Sequence, residues 1–184
     1  MDYNSRSTFS FLNPDEAVGA AHMQEGQHVA DFHAGAGFIS RAAARAVGSS
    51  GRVWAIDARR DILARLKNTA ELEGLSNIEI VRGNIERLGG TLLPDASLDM
   101  VLLVTALCTA ENISGVIAEA SRVLKKSGRM LVIDWKPATE GLGPHPSHVV
   151  SEETAIAALS EVGFVVGEPI PSGDYHWGRI ARRG

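Results

Sequence analysis

The chain has 184 residues, 45% of them hydrophobic and 22% charged, a balance that suits one globular core and excludes global disorder. A formal net charge of −4 speaks against a broad phosphate-binding face, and a single cysteine, Cys108, excludes an internal disulfide framework. The polar stretch Met1–Pro14 lacks the apolar centre of a signal peptide, and no run reaches the roughly 18 apolar residues of a membrane span, so a cytoplasmic protein is expected.

Asn13-Pro14-Asp15-Glu16 reads as a helix start, with Asn as N-cap, Pro in the first turn and acids near the positive end of the helix dipole. Ala17, Val18 and Ala21 follow as a short apolar face, and Gly26 closes an N-terminal arm and helix over 1–26. His28–Phe32 predicts a first strand, which runs into Gly35-Ala36-Gly37 and a helix with Ile39, Ala42, Ala43, Ala46 and Val47 on one face. Arg52–Asp57 predicts a second strand. Ile62, Leu63, Leu66 and Ala70 mark a second helix, and Asn77–Arg82 a third strand. The continuous apolar run Leu98–Val104 fits a fourth strand in a sheet covered on both faces. Val116, Ile117, Ala120, Val123 and Leu124 form a helical stripe that Ser127-Gly128 should break before a fifth strand, Arg129–Trp135. The loop 136–150, rich in Pro, Gly and His, has the length of a functional lid. Ser151 then caps a last helix with Ala155, Ile156, Leu159 and Val162 inward, and Phe164–Ile170 and Tyr175–Ala181 predict a closing antiparallel pair. Strands that alternate with helices imply βαβ units and a mostly parallel sheet, in a single domain over 1–184.

Three features fall at successive strand ends, where open α/β sheets bind ligands. Asp31-Phe32-His33-Ala34-Gly35-Ala36-Gly37 places an acid before a glycine-rich turn into a helix, so backbone can approach a ligand closely. Asp57 ends the second strand, where a carboxylate can accept from two ribose hydroxyls. Gly83-Asn84-Ile85 follows the third strand, where an amide can read an adenine edge and Ile85 can pack on the ring. Each has a plainer reading: a tight turn at Gly35 and Gly37, helix caps at Asp57 and Asn84. Their order on successive strands is what points to a nucleotide site. A dinucleotide site remains open, since Asp57 lies about 20 residues beyond the glycines. Against it, Asp31 sits where a pyrophosphate would want neutral or positive surroundings.

Asp31–Gly37 resembles the acid-x-Gly-x-Gly-x-Gly signature of class I S-adenosylmethionine-dependent methyltransferases, and Val123–Pro137 is similar to that family's late helix, turn and strand. The likeness runs from about 13 to 181 and is greatest to small-molecule methyltransferases without an inserted domain. It implies a Rossmann-like three-layer αβα sandwich of seven mostly parallel strands, the last antiparallel. It implies Asp31 and the 35–37 backbone near the methionine moiety, Asp57 at the ribose, and Asn84 and Ile85 at the adenine, with His33, Ala58 and Val104 also among the cofactor-binding residues. The expected activity is methyl transfer from S-adenosylmethionine to a small, apolar or aromatic acceptor, with S-adenosylhomocysteine as product. The alternatives are a non-catalytic binding protein that keeps the fold, and an NAD-dependent oxidoreductase.

His33 stands where the signature has its first glycine. It can be a tolerated substitution that points away, an active-site group, or a sign of lost cofactor binding; the first is the expectation. Asn84 replaces the family's frequent Asp. Methyl transfer needs mainly in-line positioning, so a strong catalytic motif is not required. The segment Val104–Cys108 lacks the Asn/Asp-Pro-Pro-aromatic motif of enzymes that act on amide or base nitrogens. Thr105, Asp134, His148 and Tyr175 are the candidate catalytic side chains. Trp135, Lys136, His145, His176 and Trp177 lie near them in sequence, and Thr105 reads equally well as a cap and Tyr175–Trp177 as hairpin packing. His145 and His148 without a third ligand read as a polar loop, so no metal is expected. Cys108 reads as a small buried residue, and Arg179, Arg182 and Arg183 as a solvated basic tail. The closing antiparallel pair could join two chains in a homodimer.

Overall fold

The computed structural model describes residues 11–137 and 142–184. The first ten residues of the expected arm and residues 138–141 of the expected lid loop lie outside the described residues. Seven strands form one sheet: β1 (His28–Phe32), β2 (Arg52–Asp57), β3 (Ile78–Arg82), β4 (Leu98–Val104), β5 (Leu124–Trp135), β6 (Phe164–Pro169) and β7 (His176–Arg183). Their spatial order is β3-β2-β1-β4-β5-β7-β6. β1 to β5 pair in parallel, and β7 is antiparallel to both β5 and β6. The edges are β3 and β6, so the last strand is interior and only β6 of the closing pair offers a free edge.

The helices are α1 (Pro14–Ala20), α2 (Phe38–Val47), α3 (Arg60–Leu72), α4 (Ile113–Val123) and α5 (Glu152–Glu161). Alternation along the strands sorts them into two layers. Met100, Leu102 and Val104 of β4 pack with α1 and α2, whereas Leu98, Val101 and Leu103 pack with α4 and α5. Leu66 and Ala70 of α3 cover Ala55 of β2 beside α2. The middle strands are therefore apolar on both faces, as the run at 98–104 predicts. The caps are also those read from the sequence. Asn13 accepts from the Asp15 and Glu16 N–H groups, and Ser151 accepts from the Thr154 N–H.

Val162, expected inward on the last helix, is its exposed C-cap, since α5 ends at Glu161. One strand also differs in its bounds. β5 begins at Leu124, directly after α4, not at Arg129. Leu98 pairs with Leu124 and Met100 with Arg129, so a wide bulge absorbs the Ser127-Gly128 break inside the strand. The buried Leu124 side chain draws the chain onto β4 before the bulge, and a Cβ on Gly128 would lie 2.8 Å from Leu124 Cδ2. A helical stripe that ends on a strand residue carries no local signal of that switch.

Asp134, near the end of β5, is fully buried. Its Oδ2 accepts from the N–H groups of Leu107 (2.9 Å) and Cys108 (3.1 Å), and its Oδ1 from the Trp135 N–H (2.8 Å). It thus caps the 3₁₀ turn Leu107–Thr109 that follows β4 and holds that turn on β5. Asp134→Ala would leave two buried N–H groups unpaired and should cost about 2–4 kcal/mol of stability. Denaturant unfolding checks this; a loss below about 0.5 kcal/mol would show that the cap is dispensable.

Candidate active site

The chain leaves β1 toward β2 on one side and returns to β4 on the other. The connections therefore diverge beyond the carboxyl ends of β1 and β4 and leave a crevice between them. Two residues that are not glycine hold left-handed backbone at its two lips: His33 with φ 75° and Thr105 with φ 51°. Such strain persists only where the surroundings impose it. Here the His33 and Ala34 N–H groups both donate to the Ile56 carbonyl, at 3.0 and 2.8 Å, and the Thr105 N–H donates to the Ile133 carbonyl at 2.8 Å. Each lip is pinned to a neighbouring strand.

Two cavities open in the crevice. One, of about 500 Å³, is lined by Asp31, His33, Gly35, Val104 and Thr105, with Leu12, Pro14, Ala34, Ala36, Phe38 and Ile39 around them. The other, of about 370 Å³, is lined by His33, Asp57, Ala58, Arg59, Gly83, Asn84, Ile85, Glu86, Thr109 and Ala110. His33 is the residue common to both. The residue that the sequence expectation turned away from the site therefore lies between the two cavities. A left-handed backbone directs a side chain where the signature glycine has none. Burial lowers the His33 pKa, against the opposing pull of Asp57, so the ring is neutral at pH 7, and its Nδ1 is buried without a hydrogen-bond partner.

The acids at the strand ends have different surroundings. Asp31 is buried and accepts from Ser40 Oγ at 2.5 Å. Burial pushes its carboxyl up to about 6, despite the Ser40 hydrogen bond. Asp57 is also buried, yet its carboxyl is held at about 2: burial alone would raise it, and hydrogen bonds from Arg59 and Gly35 outweigh that. The Gly35 N–H donates to Asp57 Oδ2 at 3.1 Å, which ties the glycine-rich turn to β2. Gly35 (φ 53°) meets only the His33 carbonyl at 3.9 Å, so its backbone is open to the crevice. Gly37 (φ 78°) serves packing instead, since a Cβ there would lie 2.4 Å from Leu66 Cγ.

Asn84 lies at the second cavity, but its Oδ1 accepts from the Glu86 N–H at 2.9 Å, so it also caps its own loop. The remaining candidates do not converge with the cofactor set. Asp134 is fully buried and accepts from three backbone N–H groups. His148 lines a separate cavity of about 450 Å³ with Cys108, Glu111 and Ser151, which adjoins the second cavity at Thr109 and Ala110. Its ring centroid is 6.2 Å from that of His145, and among the described residues no three His, Cys, Asp or Glu side chains form a metal set. Tyr175 packs against Phe11 at 5.0 Å, His176 against Trp135 at 4.2 Å, and Lys136 Nζ donates to the Asp174 carbonyl at 3.1 Å. Trp177 Nε1 donates to the Val150 carbonyl at 3.1 Å, so this buried indole packs the hairpin. Cys108 is buried, and burial pushes its thiol up, far from a thiolate nucleophile.

Sequence reasoning missed Arg59, Leu12, Pro14 and Phe38 at the crevice. Arg59 had a readable signal, a guanidinium two residues after the carboxylate that ends β2. Leu12 and Pro14 come from a stretch of chain well before the glycine-rich turn, and Phe38, directly after Gly37, carries no signature of its own.

S-adenosylmethionine fits this donor set. The open backbone at Gly35 and the buried Asp31 suit a methionine ammonium, and Asp57 with Ile85 and Asn84 suits a nucleoside, with His33 and Arg59 as the two side chains that share the space.

Comparison with known proteins agrees. A family model described as a methyltransferase domain matches residues 23–180. The ubiquinone/menaquinone biosynthesis C-methyltransferase UbiE of Hahella chejuensis is 29% identical over 159 residues, 86% of this chain and 61% of that protein. The UbiE of Bordetella avium is 29% identical over 127 residues, 69% of this chain and 48% of that protein. The chain thus spans about half to three-fifths of the length of these curated relatives. The crystal structure of a SAM-dependent methyltransferase from Aquifex aeolicus superposes with a TM-score of 0.84 at 27% identity, covering 93% of this chain and 89% of that one. The family match, the strand order 3-2-1-4-5-7-6 and the acids at the ends of β1 and β2 place this chain in the class I, Rossmann-like family of S-adenosylmethionine-dependent methyltransferases.

Proposed function

We propose that the protein transfers a methyl group from S-adenosylmethionine to a small, apolar or aromatic acceptor. The observation that carries this reading is the pair of cavities that meet at His33 on the β1/β4 crevice, one over Asp31 and one over Asp57. The cofactor, when bound, supplies an electrophilic methyl on a sulfonium centre. Asp57 and Asn84 hold the nucleoside side, and Asp31 with the Gly35 backbone holds the methionine side. Leu12, Pro14, Phe38, Ile39 and Val104 give that cavity apolar walls that suit an apolar acceptor. Among the described residues no Lys or Arg lines that cavity. The likeness to C-methyltransferases of quinone biosynthesis makes an electron-rich ring carbon the acceptor atom of choice. His33, which lines both cavities and whose pKa burial lowers, is the group we assign to take up the proton that leaves that ring.

The direct test is calorimetric titration with S-adenosylmethionine and S-adenosylhomocysteine, with NADH as control. The native protein should bind both adenosyl ligands and not NADH. Asp57→Ala should weaken binding by at least about tenfold, the loss of a charge-assisted pair of hydrogen bonds. His33→Gly should remain folded, since glycine relieves about 1–2 kcal/mol of left-handed strain, and it joins the two cavities. Binding seen only in His33→Gly would favour the reading in which native His33 has closed the site, a non-catalytic protein on the same fold.

Asp31 gives a second test. Its folded pKa is raised, so between about 4 and about 6 the native state holds a proton that the unfolded chain has released. Stability from this group falls as pH rises through that window, and above it the buried charge costs about 3 kcal/mol. Asp31→Asn keeps an acceptor for Ser40 Oγ and removes the charge. The variant should melt higher than the native protein at pH 8, gain much less at pH 4.5, and bind the methionine ammonium more weakly. An equal gain at both pH values would show that Asp31 is not held as described.

A further inference from the structure

Asp57 is the carboxylate best placed for a ribose, yet its side chain is only 2% exposed and Arg59 engages both of its oxygens. Oδ1 accepts from the Arg59 N–H at 2.9 Å and from Arg59 Nε at 3.0 Å. Oδ2 accepts from Arg59 Nη2 at 3.0 Å and from the Gly35 N–H at 3.1 Å. The guanidinium thus grips both oxygens in a fork, the strong geometry for this pair. Nothing else among the hydrogen bonds and ion pairs of the described residues holds the Arg59 side chain. It is 52% exposed and makes no side-chain cap at the start of α3, where its backbone occupies the N-cap position. The buried partner is fixed, and the exposed partner is free to leave.

Both groups remain charged throughout the neutral range. Arg59 has its pKa raised by the Asp57 hydrogen bond, and Asp57 is held at about 2. Neutral pH therefore does not open the pair. A diol that donates two hydrogen bonds to the same oxygens does, because it offers Asp57 replacement donors while the guanidinium regains water. The guanidinium lines the same cavity as Ala58, Asn84 and Ile85, so it stands in the volume that a nucleoside would enter.

We propose that Arg59 is a displaceable latch on the ribose carboxylate, an affinity-determining residue that an adenosyl ligand must lift from Asp57 as it binds. This rests on the reading of the crevice as an adenosyl site. A site that is open for only part of the time shows an apparent affinity reduced by that fraction. The contact is charge-assisted but exposed on one side, so the latch should lower affinity by about three- to tenfold.

The test titrates the native protein, Arg59→Ala and Arg59→Lys with S-adenosylhomocysteine, whose lack of a sulfonium keeps the ligand neutral overall. In parallel, the Asp57 carboxyl is followed by carbon NMR as pH is lowered. Arg59→Ala should bind about three- to tenfold tighter, and Arg59→Lys, which keeps charge without the fork, should fall between. The Asp57 carboxyl should titrate well below the ordinary carboxylate range in the native protein and rise in Arg59→Ala, where burial is no longer opposed. Weaker or unchanged binding by Arg59→Ala would overturn the latch, and weaker binding would recast Arg59 as a nucleoside contact. An Asp57 titration that ignores Arg59 would also overturn it, whatever the ligand does. Absence of binding by all three proteins would overturn the adenosyl reading and the latch with it, and the NMR titration would still show whether the ion pair itself exists.

Discussion

The divergence of the chain on either side of β1 is the constraint on which the site depends. β2 and β3 build outward in one direction, and β4, β5, β7 and β6 in the other. No crossover can cover the carboxyl ends of both β1 and β4, so the sheet must open there. The backbone meets that demand at His33 and Thr105, two side-chain-bearing residues in left-handed conformation. Each costs on the order of 1–3 kcal/mol. The cost is borne by a sheet whose central strands are apolar on both faces and by the N–H anchors to Ile56 and Ile133. A β-branched threonine in this conformation is unusual, and its place at the crevice lip ties strain to the binding surface.

Three aspartates near strand ends show how surroundings decide role. Asp134 receives three backbone N–H groups and becomes a rivet between β5 and the turn after β4. Asp57 receives a cation that is rooted at the surface, so its charge is kept and its partner can be exchanged. Asp31 is buried with Ser40 as its hydrogen-bond partner among the described residues and is left short of positive charge. In the proposed reading an ammonium-bearing ligand would supply what Asp31 lacks, and a diol would replace what Asp57 holds. The two ends of one adenosyl amino acid would then answer two different electrostatic needs, with His33 between the two cavities.

Most elements were legible from the sequence because their signals are local. The caps at Asn13 and Ser151, the double-sided apolar run at 98–104 and the helix stripes all act over a few residues. The early start of β5 was not legible: Leu124 completes a helical stripe, and only its pairing with Leu98 turns it into a strand. The same division holds in the site. The order Asp31, Gly35, Asp57, Asn84 and Ile85 follows from strand ends and spacing, and those residues do line the crevice. Asp134 looked equally suitable at a strand end, but three-dimensional proximity to Leu107 and Cys108 turned its Oδ2 to their backbone N–H groups.

The sequence by itself therefore determined the alternation of strands and helices, the mostly parallel sheet, and the family to which the glycine-rich turn and its acids belong. These depend on periodicity, caps and spacing, which act along the chain. Only the tertiary structure decided that His33 lies between the two cavities of the crevice, that Asp134 is a structural cap, and that Arg59 covers Asp57. Those outcomes depend on which donors reach which acceptors once distant strands are aligned, and competition for a lone pair cannot be read from either residue alone.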